Sequence, residues 1–282
     1  MPELPEVETV RRGLAPVMDG AVFSRVTLNR ADLRFPFAER FAQRLTGATV
    51  NSLTRRAKFL QAELSTGERL FMHLGMSGRF TIEADVNNTP GVFTHQAGDT
   101  NPKHDHVVFE FNNGARVTYN DPRRFGFMEL IASGAPYRLD GIGPEPLGND
   151  FSAPVLRTAL KGKKSKIKAA LLDQHVVAGL GNIYVCEALY KAGISPKRAA
   201  GRLTVAETER LVGHIKEVLN RAIAAGGSSL NDFASTDGAL GYFQHSFDVY
   251  GREGEACKAC TAPIVRIVQS GRSSFYCKSC QG

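Results

Sequence analysis

Residues 58–76 read KFLQAELSTGERLFMHLGM, and this segment indicates that the N-terminal half of the chain is built from β-strands. Apolar and polar residues alternate on both sides of Gly67, which is the pattern of two half-buried β-strands with a turn between them. Four further segments between residues 21 and 131 show similar patterns: AVFSRVTL, HVVFEF, ARVTYN and FMELI. Because Gly, Asn and Asp-Pro separate these segments, we predict an antiparallel β-sandwich.

Helical patterns lie on either side of the predicted sandwich. Apolar residues recur at helical spacing within residues 1–14, which predicts a short N-terminal helix. Further on, Thr204 and Glu207 have the spacing of a capping box at the start of a long amphipathic helix. The sequence therefore predicts an α+β chain in which helices dominate the C-terminal half.

The domain boundaries follow from these changes of pattern. Residues 132–154 are rich in Gly and Pro and show no clear period, so we predict an interdomain linker there. The predicted parts are a helix and sandwich domain at 1–131, the linker at 132–154, a helical domain at 155–245 and a cysteine-rich segment at 246–282.

The composition favours a globular protein with an anionic partner. The chain has 282 residues, a formal net charge of +7 and a pI near 9.2, and nucleic acid is a common partner of basic proteins. No run of 18 apolar residues appears, and the N-terminus lacks the pattern of a secretory signal. We therefore expect a cytoplasmic protein without a membrane partner.

Four cysteines near the C-terminus predict a metal site. Their spacing is C-x2-C-x16-C-x2-C, and the ligands would be Cys257, Cys260, Cys277 and Cys280. Four thiolates suit tetrahedral zinc, and two disulfides or a redox pair are the alternatives. A closed four-cysteine site leaves no position for substrate, so we predict one structural Zn²⁺. The strand-turn-strand segment between the pairs presents Arg272 near its tip, where a solvated surface charge is the other interpretation.

Two central motifs suggest phosphate binding. GLGNIY (179–184) places glycines before a helix that begins at Asn182, and helix N-termini bind anions. An ordinary tight turn with an Asn cap would have the same sequence. The preceding KGKKSKIK (161–168) contains five lysines in eight residues. Such a run is commonly a solvated face, but here it adjoins the candidate anion site.

NDPRRFGF (120–127) is the third motif of interest. Asn-Asp-Pro indicates a turn, and Arg123, Arg124 and Phe125 follow it. An arginine beside an exposed aromatic ring can stack on a base or enter a duplex. A buried phenylalanine between two surface arginines is the alternative.

Taken together, the motifs resemble those of bacterial formamidopyrimidine-DNA glycosylase. MPELPEVETVRRG, RRAKFL, HLGMSG, NDPRRFG, GLGNIY, GGSSLNDF, VYGR and the two C-x2-C pairs occur in the family's order, from Met1 to the last cysteine. The resemblance implies a β-sandwich with a catalytic N-terminal helix, then a helix-two-turn-helix domain ending in a zinc-binding β-hairpin. It implies a monomeric repair enzyme that removes oxidised purines from duplex DNA and cleaves the strand by β,δ-elimination.

The resemblance also gives the opening residues a role. In the family Met1 is removed and the nitrogen of Pro2 is the nucleophile, Glu3 transfers protons, and Glu6 helps to orient the amine. Lys58 matches a lysine that contacts the damaged strand. An α-amino group has a pKa of about 8, so part of it is unprotonated near neutrality. A secondary amine that attacks C1′ forms an iminium, which makes the C2′ proton acidic and permits elimination of phosphate.

The remaining family matches concern DNA binding. Residues expected to grip phosphates around the extruded nucleotide are Lys168, Asn182 and Arg272. Residues expected to fill the space left in the duplex are Met76, Arg123 and Phe125. His73 is expected near the phosphates, with a packed strand histidine as the alternative.

Two departures and three rival interpretations complete the prediction. Asn231 stands where family members often carry Lys or Arg, so lesion preference or affinity is expected to differ. The loop at 84–103 is longer than usual, and we interpret it as a surface insertion. The nearest rival is an endonuclease VIII-like glycosylase acting on oxidised pyrimidines. The others are a non-catalytic zinc-ribbon DNA-binding protein and a structural zinc protein. Neither of these last two would give Pro2, Glu3 and Lys58 a purpose.

Overall fold

The fold is taken from a computed structural model that describes residues 2–83, 101–228 and 243–282. Asn231 and most of the 84–103 loop lie outside these residues. The described residues form two compact units. The first contains residues up to 138 together with 225–228, and the second contains Leu139–Ala224 and Phe243–Gly282.

The described residues of the first unit form one long α-helix, one short α-helix and eight strands. The N-terminal helix extends to Met18, four residues beyond the predicted end. The elements of the first unit are α1 (Leu4–Met18), β1 (Phe23–Leu28), α2 (Phe41–Leu45), β2 (Val50–Arg56), β3 (Phe59–Leu64), β4 (Arg69–His73), β5 (Arg79–Glu83), β6 (Asp105–Phe111), β7 (Arg116–Asn120) and β8 (Phe127–Ile131).

The strands form two four-stranded antiparallel sheets, which confirms the predicted sandwich. One sheet has the order β1-β6-β7-β5 and the other β2-β3-β4-β8. Strands β2 and β5 were not predicted, because VNSLTRR lacks a clean alternation and RFTIE is short. The strand predicted over 69–76 ends at His73, since Gly75 turns the chain with a φ of +64°.

One hydrophobic core joins both sheets and the N-terminal helix. Phe23 and Phe109 of the first sheet, Leu60 and Met72 of the second, and Leu14 of α1 are all buried in it. Burying such side chains stabilises the fold by roughly 1.5–3 kcal/mol each. The helix that begins at the candidate catalytic residues is therefore held by the centre of the unit.

The second unit contains four helices and a two-stranded hairpin. The capping box predicted at its longest helix is confirmed, because the amide of Glu207 donates to Thr204 Oγ1 (3.2 Å) and the amide of Thr204 to Glu207 Oε2 (2.8 Å). The elements are α3 (Ala153–Leu160), α4 (Ile167–Leu172), α5 (Asn182–Lys191), α6 (Val205–Ala224), β9 (Ile264–Gln269) and β10 (Arg272–Cys277).

The segment expected to link the domains is partly structured. Residues 132–138 belong to the first unit, where the ring of Tyr137 stacks on Phe71 with centroids 4.0 Å apart. Helix α3 begins at Ala153, inside the expected linker, and Pro154 occupies its first turn. Among the described residues, no helix is both long and apolar enough to cross a membrane.

Candidate functional site

The residues expected to be catalytic are buried at the N-terminus of α1. Pro2 is buried, and Glu3 and Glu6 are only 4% and 2% exposed. Glu3 is the N-cap residue, and it forms a reciprocal capping box with Glu6, whose Oε2 accepts from the amide of Glu3 at 2.9 Å. Buried carboxylates are costly unless they are hydrogen-bonded. The capping box explains how Glu3 and Glu6 lie next to Pro2 without exposure to water.

Glu6 has a second partner that the sequence did not reveal. Its Oε1 accepts from both the amide and the hydroxyl of Ser228, each at 2.9 Å. Gly227 precedes with a φ of +82°, and a Cβ there would lie 3.2 Å from the side chain of Glu6. The GGSSLNDF motif was the sequence feature that marked this segment. In the structure, the start of the motif is hydrogen-bonded to the carboxylate of Glu6.

Lys58 lies in the hairpin against which α1 packs. It occupies the two-residue turn between β2 and β3, where Ala57 has a φ of +53°, and it is only 8% exposed. Helix α1 packs on both strands, and Arg55 of β2 forms an ion pair with Glu8 of α1 at 3.3 Å. The fold therefore fixes the Lys58 hairpin to the helix that begins beside Pro2.

His73 is packed among aromatic rings and is neutral at pH 7. Its ring stacks on Phe127 with centroids 5.1 Å apart and lies 4.8 Å from the ring of Phe59. Burial lowers the pKa of His73 to about 4, and the positive charges of Lys58, Arg34 and Arg138 add to this effect. Because Nδ1 accepts from the amide of Gly75 (3.0 Å), the remaining ring N–H is at Nε2. The imidazole can thus donate a hydrogen bond but supplies no charge.

The three residues expected to enter the duplex line a single cavity in the first unit. Phe125 is 44% exposed, which is unusual for phenylalanine, and the guanidinium of Arg123 lies 5.0 Å from its ring centroid. The cavity measures about 510 Å³, and its lining residues are Leu33, Arg34, His73, Gly75, Met76, Arg123, Arg124 and Phe125.

In the second unit, two predicted phosphate-binding residues hold the hairpin that carries Arg272. Lys168 is 1% exposed, and its Nζ donates to the carbonyl of Ser273 and to Ser274 Oγ, both at 2.7 Å. Asn182 Nδ2 donates to the same Ser273 carbonyl at 3.0 Å. The chain position next to Arg272 is therefore fixed from two helices, α4 and α5.

The four C-terminal cysteines match the geometry of a zinc site. All four sulfur atoms lie within 4.8 Å of one another, with Cys257–Cys280 at 3.9 Å and Cys260–Cys277 at 3.4 Å. Tetrahedral zinc with bonds of about 2.3 Å separates its sulfur ligands by roughly 3.8 Å. The cluster therefore fits one closed, structural Zn²⁺.

A buried carboxylate that the sequence analysis missed ties the cysteine-rich segment to α5. Glu187 is 2% exposed and accepts from three consecutive amides, those of Asp248, Val249 and Tyr250, at 2.8–3.0 Å. Burial raises the pKa of Glu187, although the three amides oppose the shift. An acidic residue within the apolar NIYVCEAL helix was the signal for this contact.

Comparison with protein-family models finds three matches in chain order. The formamidopyrimidine-DNA glycosylase N-terminal domain matches residues 1–128, and the H2TH domain of the same enzymes matches residues 142–234. A zinc finger found in FPG and IleRS matches residues 254–282. The three models together account for most of the chain.

Individual relatives and solved structures agree with these matches. A formamidopyrimidine-DNA glycosylase of Ruegeria pomeroyi is 59% identical over 100% of both chains. A Lactococcus lactis FPG mutant in complex with Fapy-dG-containing DNA has a TM-score of 0.86 and 36% identity, with 99% of each chain covered. The wild-type Lactococcus lactis FPG with oxidised-pyrimidine-containing DNA has a TM-score of 0.85 and 37% identity, again with 99% of each chain covered.

Proposed function

The chain belongs to the formamidopyrimidine-DNA glycosylase family, and we propose that it excises oxidised purines from duplex DNA and then cleaves the strand. It is a base-excision-repair glycosylase with lyase activity that binds damaged duplex DNA and carries one structural zinc. The burial of Pro2 and Glu3 at the start of α1 is the observation that carries the mechanism.

The chemistry begins at the nitrogen of Pro2. Removal of Met1 converts this nitrogen from an amide to a secondary amine, whose lone pair attacks C1′ of the damaged nucleotide. The bond from C1′ to the base breaks as the C1′–N bond forms, and the base leaves with the electron pair and takes up a proton. The nitrogen of Pro2 then loses its proton, and Glu3 supplies a proton to the sugar ring oxygen O4′. The C1′–O4′ bond breaks as the nitrogen lone pair forms the C=N bond, and the product is a ring-opened iminium between C1′ and Pro2.

The iminium then acts as an electron sink for strand cleavage. Loss of the C2′ proton expels the 3′ phosphate, and loss of the C4′ proton expels the 5′ phosphate. Glu6 holds the backbone amide of Glu3, so its contribution is to fix the start of the helix that carries the amine. Lys58, in the hairpin packed on that helix, contacts the damaged strand.

The remaining site residues hold the DNA. Arg272 binds a phosphate near the extruded nucleotide, and the zinc site keeps its hairpin folded. Lys168 and Asn182 support this phosphate contact by holding the hairpin next to Arg272, since both side chains donate to the carbonyl of Ser273. Met76, Arg123 and Phe125 occupy the space that the nucleotide leaves, which offsets part of the cost of extrusion. His73 donates a hydrogen bond to a phosphate from its neutral ring. We infer that the protein acts in the bacterial cytoplasm, because the curated relatives are bacterial and the substrate is DNA. We infer a monomer, because every proposed site residue belongs to this one chain.

Excision assays on matched duplexes test the substrate class. We expect single-turnover release of 8-oxoguanine opposite cytosine to be at least about tenfold faster than release of an oxidised pyrimidine. Discrimination of this size is expected when the polar groups of a binding site form hydrogen bonds with one base and are left unpaired by the other. The reverse order would favour the endonuclease VIII-like interpretation. The oxidised pyrimidine is the informative competitor, because a Lactococcus lactis FPG forms a complex with DNA that contains one.

A further inference from the structure

Two loops of the first unit carry the residues that enter the duplex, and the fold brings them to one edge of the sandwich. Residues 74–78 connect β4 to β5, and residues 121–126 connect β7 to β8. Strands β4 and β8 are neighbours in one sheet, and β5 and β7 are neighbours in the other. Both loops therefore cross between the sheets side by side, and we call them the wedge loops.

A fully buried carboxylate joins the wedge loops. Asp121 is 0% exposed, and its Oδ1 accepts from Ser77 Oγ at 2.6 Å, across the two loops. Its Oδ2 accepts from the amide of Gly126 at 2.8 Å and from the hydroxyl of Tyr119 at 3.3 Å. Asp121 begins the second loop, and its carboxylate binds the end of that loop, the strand β7 before it and the middle of the first loop. Such a satisfied network stiffens the groups that it connects.

The network reaches the backbone of the residues that touch DNA. Ser77 Oγ also accepts from the amide of Arg123 at 3.2 Å. The amide of Arg124 donates to the carbonyl of Asp121 at 3.2 Å, and Arg124 has a φ of +56°. A non-glycine residue in the left-handed region is unfavourable unless its surroundings fix it. Asp121 helps to hold Arg124 in this conformation, because it binds the amides of Arg124 and Gly126.

The wedge loops are packed so closely that three glycines in them have no space for a side chain. Gly75 has a φ of +64°, and a Cβ there would come within 3.0 Å of the backbone of Phe125 and Gly126. Added Cβ atoms at Gly78 and Gly126 would both collide with the hydroxyl of Tyr119, the same group that donates to Asp121. The loops touch backbone to backbone at the position where Asp121 and Ser77 tie them together.

We infer that Asp121, through Ser77, is a positioning residue that preassembles Met76, Arg123 and Phe125 into one wedge before DNA binds. Asp121 is fully buried, so any effect that it has on DNA is exerted through the loops. The inference rests on the proposed function, because only an enzyme that extrudes a base needs a wedge. A preformed wedge lowers the ordering cost that extrusion would otherwise carry.

The test compares a substrate that requires extrusion with one that does not. Ser77→Ala removes the hydroxyl between the loops. Asp121→Asn replaces the carboxylate that accepts the hydrogen bond from this hydroxyl. We expect both variants to excise 8-oxoguanine from a cytosine-paired duplex about tenfold more slowly, as expected for the loss of buried hydrogen bonds. Cleavage of an abasic site in single-stranded DNA has no base to extrude, and we expect it to change by less than about twofold.

A fluorescent reporter separates wedge action from chemistry. With 2-aminopurine next to the lesion, the wild-type protein should give a fast rise in fluorescence as the stack opens, and the variants should give a slower rise. Ser65→Ala is the matched control, because Ser65 Oγ accepts from the amide of Thr49 (2.9 Å) in a turn distant from the wedge loops along the chain. This control should match the wild type on both substrates.

Each outcome bears on one claim. Equal losses on the duplex and on the single strand would overturn the inference, since they would indicate a general effect on folding. Unchanged excision and an unchanged fluorescence rise in both variants would overturn it as well. If the wild-type protein released no oxidised base from duplex DNA while still cleaving the single-stranded abasic site, the proposed substrate would fail.

Discussion

Replacing Glu3 with glutamine is expected to reduce base excision by roughly a thousandfold, within the range that positioned acid–base groups contribute. Glutamine has nearly the shape of glutamate and its carbonyl can still accept at the N-cap, so α1 should form as before. It cannot supply a proton to the sugar ring oxygen. Single-turnover excision and equilibrium binding to a duplex with a stable abasic analogue are the two measurements, and only the first should change.

Glu8→Gln is the control for this experiment. Glu8 lies on the same helix and pairs with Arg11, Arg12 and Arg55. Its loss should cost stability, because the pKa of Glu8 is lowered by these arginines despite its burial. Excision should fall by far less than in Glu3→Gln, because Glu8 has no proton-transfer role and the packing of α1 on β2 and β3 remains. Comparable losses of excision in the two variants would refute a chemical role for Glu3.

The second large effect is expected at the zinc site. Cys260→Ser removes one of four thiolates, and a structural zinc site contributes folding free energy directly. We expect the zinc content to fall from one ion per chain to none. Affinity for lesion-containing duplex should fall by roughly 100-fold, as when charge-assisted contacts such as that of Arg272 are lost. Metal analysis and a binding titration measure the two losses.

Cys186→Ala provides the matched comparison. Cys186 is buried in the same hydrophobic cluster as Cys257 and Cys277, but it is not among the four clustered sulfur ligands. This variant should keep one zinc and bind DNA like the wild type. If zinc-free Cys260→Ser protein bound DNA with unchanged affinity, the hairpin would have no part in holding the substrate.

Local patterns in the sequence were sufficient for much of the fold. Strands such as Phe59–Leu64 alternate because one face is buried, and the Thr204–Glu207 capping box needs only four consecutive residues. The four zinc ligands lie in two short turns of fixed spacing. Each of these features depends on chemistry between residues that are close in the chain, which a sequence displays directly.

Contacts between distant residues were not predictable in this way. Glu6 and Ser228 are 222 positions apart, and Ser77 and Asp121 are 44 apart. Glu187 binds the backbone amides of Asp248 and its neighbours, and a backbone amide is present at nearly every residue, so the sequence does not mark it as a partner. Such contacts depend on the tertiary fold, so they appeared only when the strands and helices had been placed.

The covalent intermediate at Pro2 is the central claim, and trapping it is the most direct measurement. The purified protein, shown by intact mass to lack Met1, is incubated with a duplex carrying 8-oxoguanine opposite cytosine, and borohydride is added. Reduction of the iminium should give a stable protein–DNA adduct, and sequencing of the trapped peptide should place the bond at the nitrogen of Pro2. An adduct at a lysine instead, or base release without any adduct, would contradict the mechanism.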